Sequence, residues 1–223
     1  MKDFQFVLTP EVEALGLRGA CLVVEGLVNK ERDVDFERHR LDLFTQLKSQ
    51  YTPEMSPKDP ILAGFRRLHE KVGRSNRKFP ASPERLIKLF LRKGTIPSIN
   101  LAVDIYNCIS LETRLSLGAH DVSQINGSVT LRMTDGRERF VPLGREKPES
   151  IEAGEYCYVD DSQEVICRLE CRQAEKTKVT TRSHTCFYMI QGNENTSIMN
   201  AVDRLVDLTK RYCVGREHML WAS

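Results

Sequence analysis

Residues 94–107 read Gly94-Thr95-Ile96-Pro97-Ser98-Ile99-Asn100-Leu101-Ala102-Val103-Asp104-Ile105-Tyr106-Asn107. Gly94 and Pro97 punctuate a rigid turn, Ser98 is placed to cap a first helical turn, and Ile99, Val103, Tyr106 and Ile109 recur at helical spacing. A mostly apolar helix running to about Leu115 follows from this pattern. Asn100, Asp104 and Asn107 interrupt it at intervals of four and three, so they share one stripe. Such a stripe either hydrogen-bonds neighbouring backbone in a core or forms one wall of a pocket.

Upstream, Ser82-Pro83-Glu84 reads as a helix start, with Ser82 at the cap and Pro83 at the first helical position. The helix it opens, to Lys93, keeps Leu86, Ile87, Leu89, Phe90 and Leu91 for the core and Arg85, Lys88 and Arg92 for solvent. A basic loop, Gly73 to Pro80, precedes it and follows a short helix over Ile61–Val72. Thr52 to Pro60 holds Pro53, Pro57 and Pro60, which argues against helix there. Asp33 to Tyr51 is an amphipathic helix capped by Asp33. Before that, a weak strand near Phe4–Leu8 and a buried strand at Arg18–Glu25 are expected to pair across the turn that contains Pro10 and Gly16.

Downstream, Leu117-Gly118-Ala119-His120-Asp121 is read as the end of the central helix, with Gly118 available for a left-handed cap. The pattern then changes to period two. Ser128–Met133 and Arg137–Leu143 are read as a hairpin about Asp135-Gly136. Glu155–Val159 and Val165–Cys171 make a second hairpin about Asp160-Asp161, and Thr185–Gln191 is a strand rich in β-formers. Ser197–Tyr212 closes the chain as an amphipathic helix. Helices come mainly in the first half and antiparallel strands later, so the class expected is α+β.

The 223 residues, 40% hydrophobic and 29% charged, can bury a substantial core and contain no apolar run of the roughly 20 residues a membrane span needs. The first residues lack the basic-then-apolar organisation of a signal peptide, so a cytoplasmic location is expected and no membrane partner. The seven cysteines are odd in number and include no Cys-x-x-Cys pair; Cys167 and Cys171 are four apart in a strand-like segment. Reduced thiols without a metal site are the expectation. No phosphate-binding glycine loop, nucleophile elbow or zinc-protease helix motif is present, and no cofactor is expected.

Formal net charge is only +2, but residues 66–93 carry ten basic against two acidic side chains, a local +8 that leaves −6 for the remainder. Arg66, Arg67, Arg74, Arg77 and Lys78, with Phe79 among them, supply the clustered cations and aromatic face that a phosphate backbone and an unstacked base require. No sequence-reading motif accompanies them, and DNA is not expected as a partner. Two further groups carry chemistry: His120 beside Asp121, and the polar strand end from Arg168 to Thr180, where Glu175 stands among Arg172 and Lys176.

Taken together, Gly73-Arg74-Ser75 with Lys78-Phe79-Pro80, Ile96-Pro97-Ser98-Ile99-Asn100 followed by Val103-Asp104-Ile105-Tyr106-Asn107, Leu117-Gly118-Ala119-His120-Asp121, and Arg172-Gln173 through Lys176-Thr177-Lys178-Val179-Thr180 resemble the stand-alone B3/B4 domain proteins. These are related to the B3/B4 region of the bacterial phenylalanyl-tRNA synthetase β subunit. The resemblance runs from about residue 60 to the C-terminal helix and implies one domain over 1–223, with 1–60 an N-terminal strand and helix segment and 61–215 the core. It implies a mixed fold like that of the synthetase region, a role near tRNA, and proofreading by hydrolysis of a misattached aminoacyl ester. In this sequence Glu175 and His120 would be the catalytic groups. Asn100, Asp104, Asn107, Ser98 and Arg172 would bind substrate, and the cations at 66, 67, 74, 77 and 78 with Lys176 would bind RNA. Two departures stand out. Gly118 occupies the place of the synthetase's editing histidine, and Gln173-Ala174 replace its paired glycines. A non-catalytic RNA-binding module and a sensor of a free amino acid are the alternatives.

Overall fold

The computed structural model describes residues 4–223; Met1 to Asp3, part of the expected 1–223 unit, lie outside the described residues. Among the described residues there are seven α-helices and nine strands; the strands form two sheets, with most of the helices over one face. In chain order they are β1 (Phe6–Leu8), α1 (Pro10–Glu13), β2 (Arg18–Glu25), α2 (Val34–Gln50), α3 (Met55–Lys58), α4 (Pro60–Lys71), α5 (Ser82–Lys93) and α6 (Leu101–Thr113), followed by β3 (Ser116–Asp121), β4 (Val129–Met133), β5 (Tyr156–Asp160), β6 (Val165–Arg168), β7 (Arg172–Gln173), β8 (Thr185–Gly192), α7 (Ile198–Cys213) and β9 (Arg216–Ala222). One sheet has the order β1-β4-β5-β6-β7 and the other β3-β8-β2-β9. All pairings are antiparallel except β1 with β4, so the class is α+β, as the order of elements argued.

The β3-β8-β2-β9 sheet, sheet two, is the central layer, and the β1-β4-β5-β6-β7 sheet is sheet one. One face, with Ala20, Leu22, Val24, Tyr188 and Ile190, packs under α2, α5, α6 and α7. The other, with Cys21, Val23, Phe187 and Met189, meets sheet one through Val129, Leu131, Tyr156 and Tyr158. Both faces of β2 and β8 are therefore apolar, which is why their sequences read as continuous hydrophobic runs rather than alternations.

The same double burial corrects the expected pairing of the first two strands. Six consecutive residues of β2 are buried, and it takes β8 and β9 as neighbours, while β1 runs parallel to β4 in the other sheet, Phe6 opposite Val129. The expected 128–143 hairpin is also absent. Glu138 turns inward instead, accepting from the backbone N–H groups of Asp135 and Gly136 at 3.0 Å and pairing with Arg132 at 2.6 Å. Residues beyond it only bridge to Glu164 and Ala174. Gly118 caps no helix: α6 ends earlier with Arg114 in the left-handed conformation, and 116–121 is the buried edge strand β3.

Smaller corrections concern caps. Ser98 lies before α6, whose cap is Asn100, accepting from the Val103 N–H at 3.2 Å. Ser82 is already helical and its Oγ pairs with that of Ser116 at 2.7 Å. Pro57 sits inside the one-turn helix α3, where its missing N–H would have lacked an intrahelical partner anyway. Asp33 and Asp59 cap α2 and α4 through their carboxylates. No helix among the described residues is long and apolar enough to cross a membrane.

Candidate functional site

The edge strands of the two sheets, β3 and β7, approach each other beside α6 and leave a cavity of about 420 Å³. Gly118 of β3 permits the approach. A Cβ built there would lie 2.4 Å from the Gln173 Nε2 of β7, so the Gln173 side chain occupies the space a residue at 118 would need. Tyr106 and Asn107 of α6 form one wall; Tyr158, Cys167, Glu170 and Cys171 form the sheet-one side; Met189 and Gln191 of β8 contribute the floor. Arg85, Arg145 and Arg172 supply guanidinium groups to the lining, and the first two are exposed. Ile99, counted by periodicity among core positions, is 59% exposed and lines the cavity instead.

Of the residues expected to bind substrate, the structure brings Asn107 and Arg172 to this cavity. Arg172 also pairs with Glu149 at 2.5 Å. The other three do not line it: Asn100 and Asp104 are spent on the backbone and Ser98 on the Asp104 carboxylate. Asn100 is the α6 cap and also receives Asn29 Nδ2 at 3.0 Å and donates to the Val179 carbonyl at 3.1 Å. Asp104 clasps the turn before the helix, accepting from Ser98 Oγ and, at 2.9 Å, from the Ile99 N–H. Burial pushes its carboxyl up against the effect of these bonds. Thus the 100–104–107 stripe divides: two members hold the helix start, and one faces the cavity.

Nor does the structure bring the expected catalytic pair to the cavity. His120 is fully buried on β3, with Nδ1 2.7 Å from Thr177 Oγ1 and Nε2 without a partner among the described residues. Burial pushes its imidazole down to about 3, so it is neutral. Glu175 accepts from the Gly144 N–H at 2.9 Å and pairs with Lys178 near the surface; those two contacts hold its carboxyl below the usual range. His120 follows Gly118 by two and so shares its face of β3, but at that point along the strand Thr177 covers it, its hydroxyl on the imidazole and its carbonyl accepting from the Asp121 N–H at 2.9 Å.

Sequence reasoning missed the buried group behind the cavity. His69 of α4 contacts Glu170 through Nε2, and the Cys171 Sγ lies 3.8 Å from the same nitrogen. Glu170 Oε2 accepts from the Tyr156 hydroxyl at 2.6 Å and Gln191 Nε2 at 3.1 Å. Burial alone would depress the His69 imidazole, but the Glu170 carboxylate outweighs it and raises the pKa; burial would raise Glu170, but the His69 charge and its hydrogen bonds hold it low. The two directions agree on an imidazolium–carboxylate pair. A hundred residues separate the partners in sequence, so no local spacing signals them.

The basic segment is also sorted by the fold. Arg74 pairs with fully buried Glu155 at 2.7 Å, and Arg168 grips the same carboxylate through two bonds of 2.6 Å. Arg66 pairs with Glu84 and donates to the Ser56 carbonyl; Arg67 pairs with Glu194, and Lys176 with Glu164. Phe79 lies under the Arg168 guanidinium at 4.8 Å, so its ring is not the free stacking face expected. Arg77 and Lys78 remain exposed, without an ion-pair partner among the described residues.

With this geometry in place, the comparison with known families is specific: the B3/4 domain model matches residues 65–213. The chain belongs to the B3/4 domain family. Over 53 residues, 24% of the chain, it is 42% identical to the phenylalanine–tRNA ligase β subunits of Pseudomonas fluorescens strain Pf0-1 and of Pseudomonas syringae pv. tomato, and 43% identical to that of Photorhabdus laumondii. That match covers 7% of each ligase subunit. The N-terminal fragment of the phenylalanyl-tRNA synthetase β subunit from Pyrococcus horikoshii superposes with a TM-score of 0.52 at 14% identity, over 96% of this B3/4 chain and 50% of the fragment. At that identity the likeness shows the fold.

Proposed function

We propose that this B3/4 protein binds the aminoacyl end of a tRNA, receives the amino-acid side chain in the cavity between β3 and β7, and hydrolyses misattached aminoacyl esters in trans. The observation that carries the reading is the cavity itself. Its volume of about 420 Å³ lies within the range of small-molecule sites, and its lining combines Tyr106 and Met189 with the amides of Asn107, Gln173 and Gln191 and three guanidinium groups. An ester hydrolysis needs a positioned water and donors aimed at the developing oxyanion. The amides and Arg172 supply those groups; exposed Arg85 and Arg145 at the cavity, with Arg77 and Lys78 on the basic loop, are suited to the terminal phosphates.

Incubation with a panel of mischarged tRNAs tests the hydrolytic half. Release above background for at least one aminoacyl-tRNA is the expected result; none, with folded protein, refutes it. The binding half predicts tRNA affinity that falls steeply with salt, and a log–log slope that flattens by roughly 0.7–0.9 for each phosphate contact removed. Salt-independent binding of tRNA refutes that half.

A second reading, capture of a free amino acid, is favoured by one feature: the lining presents three guanidinium groups, Arg85, Arg145 and Arg172, which suit the free carboxylate that an esterified amino acid lacks. Thermal shift against an amino-acid panel distinguishes it, since a ligand at about 100 times its dissociation constant adds roughly 2.7 kcal/mol of stability.

A further inference from the structure

We propose that His69, Glu170 and Cys171 form a binding site for one Zn2+ ion, with its fourth coordination position opening into the cavity. His69 Nε2, a Glu170 carboxylate oxygen and Cys171 Sγ lie within 4.8 Å of one another, and all three residues are buried. Imidazole nitrogen, carboxylate oxygen and thiolate sulfur are the three donor types zinc accepts, and three protein ligands with an open fourth place is the arrangement of zinc sites that take up water or a substrate.

The surroundings already orient each donor. Asn76 Oδ1 lies 3.1 Å from His69 Nδ1, and Asn76 Nδ2 donates to the Arg66 carbonyl at 3.3 Å. That second bond fixes which end of the amide faces the ring: Asn76 presents an acceptor, the proton on the ring goes to Nδ1, and Nε2 is left to bind. A metal-binding histidine is held in this way, through a hydrogen bond from its other nitrogen. Glu170 is similarly divided. Oε2 is occupied by Tyr156 and Gln191, while Oε1 points to His69 and, at 4.0 Å, to Cys171 Sγ. It is set to act through one oxygen.

Distances and charge agree with the assignment. Tetrahedral zinc with bonds of about 2.0–2.3 Å places its nitrogen and sulfur donors roughly 3.6 Å apart, against 3.8 Å between His69 Nε2 and Cys171 Sγ. Nε2 and Oε1, in direct contact without the ion, separate to about 3.3 Å around it; the ion displaces two protons to solvent, the one they share and that of the Cys171 thiol. A carboxylate and a thiolate neutralise the two positive charges, so the buried site carries no net charge once filled. Glu170 and Cys171 line the cavity and give the ion a route from solvent. His69 closes the site from behind.

The test uses the full chain after chelator treatment, titrated with Zn2+ by calorimetry and with Co2+ as a spectroscopic probe. One Zn2+ per chain is expected, together with a thiolate-to-cobalt charge-transfer band and tetrahedral ligand-field absorption. Cys171→Ala, a small apolar replacement in a buried position, should abolish the charge-transfer band and weaken Zn2+ binding by more than about a hundredfold. Asn76→Ala, which touches no ligand atom of the ion, should weaken it by about 10- to 100-fold. Absence of stoichiometric uptake by the wild-type chain overturns the proposal, as does uptake unchanged by Cys171→Ala. Neither result depends on tRNA binding or deacylation, so the site and the proposed function fail separately.

Discussion

The contact between Gly118 and Gln173 makes a quantitative prediction through Gly118→Ala. Gly118 is paired with Met189 inside an edge strand and has no left-handed backbone, so alanine gains about 0.5–1 kcal/mol from its lower chain entropy. Against that, the new Cβ lies 2.4 Å from Gln173 Nε2. An ordinary contact requires the amide to retreat by about 1 Å, and forcing such a side chain off its rotamer costs about 0.5–1.5 kcal/mol. Met189 Cε, at 3.4 Å, tolerates the methyl. The two terms nearly cancel in the wild-type background. In a Gln173→Ala background only the gain remains, so the substitution should stabilise by about 0.5–1 kcal/mol, and the coupling energy should be about 1 kcal/mol. Urea denaturation of the four proteins with a shared slope measures it. Additive effects, within the roughly 0.3 kcal/mol expected of independent sites, would refute the claim that Gln173 fills the space over Gly118.

Other substitutions separate structural from binding roles. Asn100→Ala removes the α6 cap and leaves the Val179 carbonyl and Asn29 amide short of partners, costing about 2–3 kcal/mol in denaturant unfolding; a loss below 0.5 kcal/mol contradicts the network. Arg74→Ala should destabilise by about 2 kcal/mol, because Glu155 keeps only Arg168, whereas Arg77→Ala with Lys78→Ala should leave the melting temperature unchanged and flatten the salt dependence of tRNA binding. The reverse pattern contradicts the sorting of the basic loop. His120 binds its proton more readily when unfolded, near 6.5, than when folded, at about 3. Its contribution to stability is therefore lost as pH falls through that window, by on the order of 5 kcal/mol; calorimetry at intervals across it should show the slope reduced in His120→Asn, and an unchanged slope contradicts the buried neutral imidazole.

The parts of the fold legible in sequence are those whose signals are local. Asp33 at a cap, the apolar spacing of α5 and α7, and the β5–β6 hairpin about Asp160 all depend on neighbours a few residues away and stand as read, except that β6 ends at Arg168 rather than Cys171; in α2 the apolar spacing holds apart from Leu41, which is 61% exposed. Errors arose where a distant partner overrode the local pattern. Gly118 reads as a cap until β8 pairs with it; Arg137–Leu143 reads as a strand until Glu138 finds Arg132; β9 escaped notice because it is half-exposed and carries a bulge opposite Cys21 and Leu22.

The site divides along the same line. Asn107 and Arg172, singled out by residue type and position, line the cavity, but Asn100 and Asp104, equally polar, serve the backbone, and spacing does not distinguish a cap from a pocket wall. The His69–Glu170 pair joins α4 to the end of β6 across the core and has no sequence signature. Two departures from the synthetase pattern, a glycine at 118 and a glutamine at 173, turn out to touch. A residue at 118 larger than glycine would need the space that Gln173 fills, so these two positions set the width of the cavity between the strands.

The proposed function requires this cavity to receive the amino-acid side chain of an aminoacyl-tRNA. Calorimetric titration with a panel of aminoacyl-adenosine analogues joined by a stable amide tests it most directly, using the wild-type chain and a Gly118→Leu variant that fills the space beside Gln173. The account predicts one equivalent bound for at least one analogue by the wild type, and loss of that binding in the correctly folded variant. Equal binding by both proteins, or none by the wild type across the panel, would contradict it.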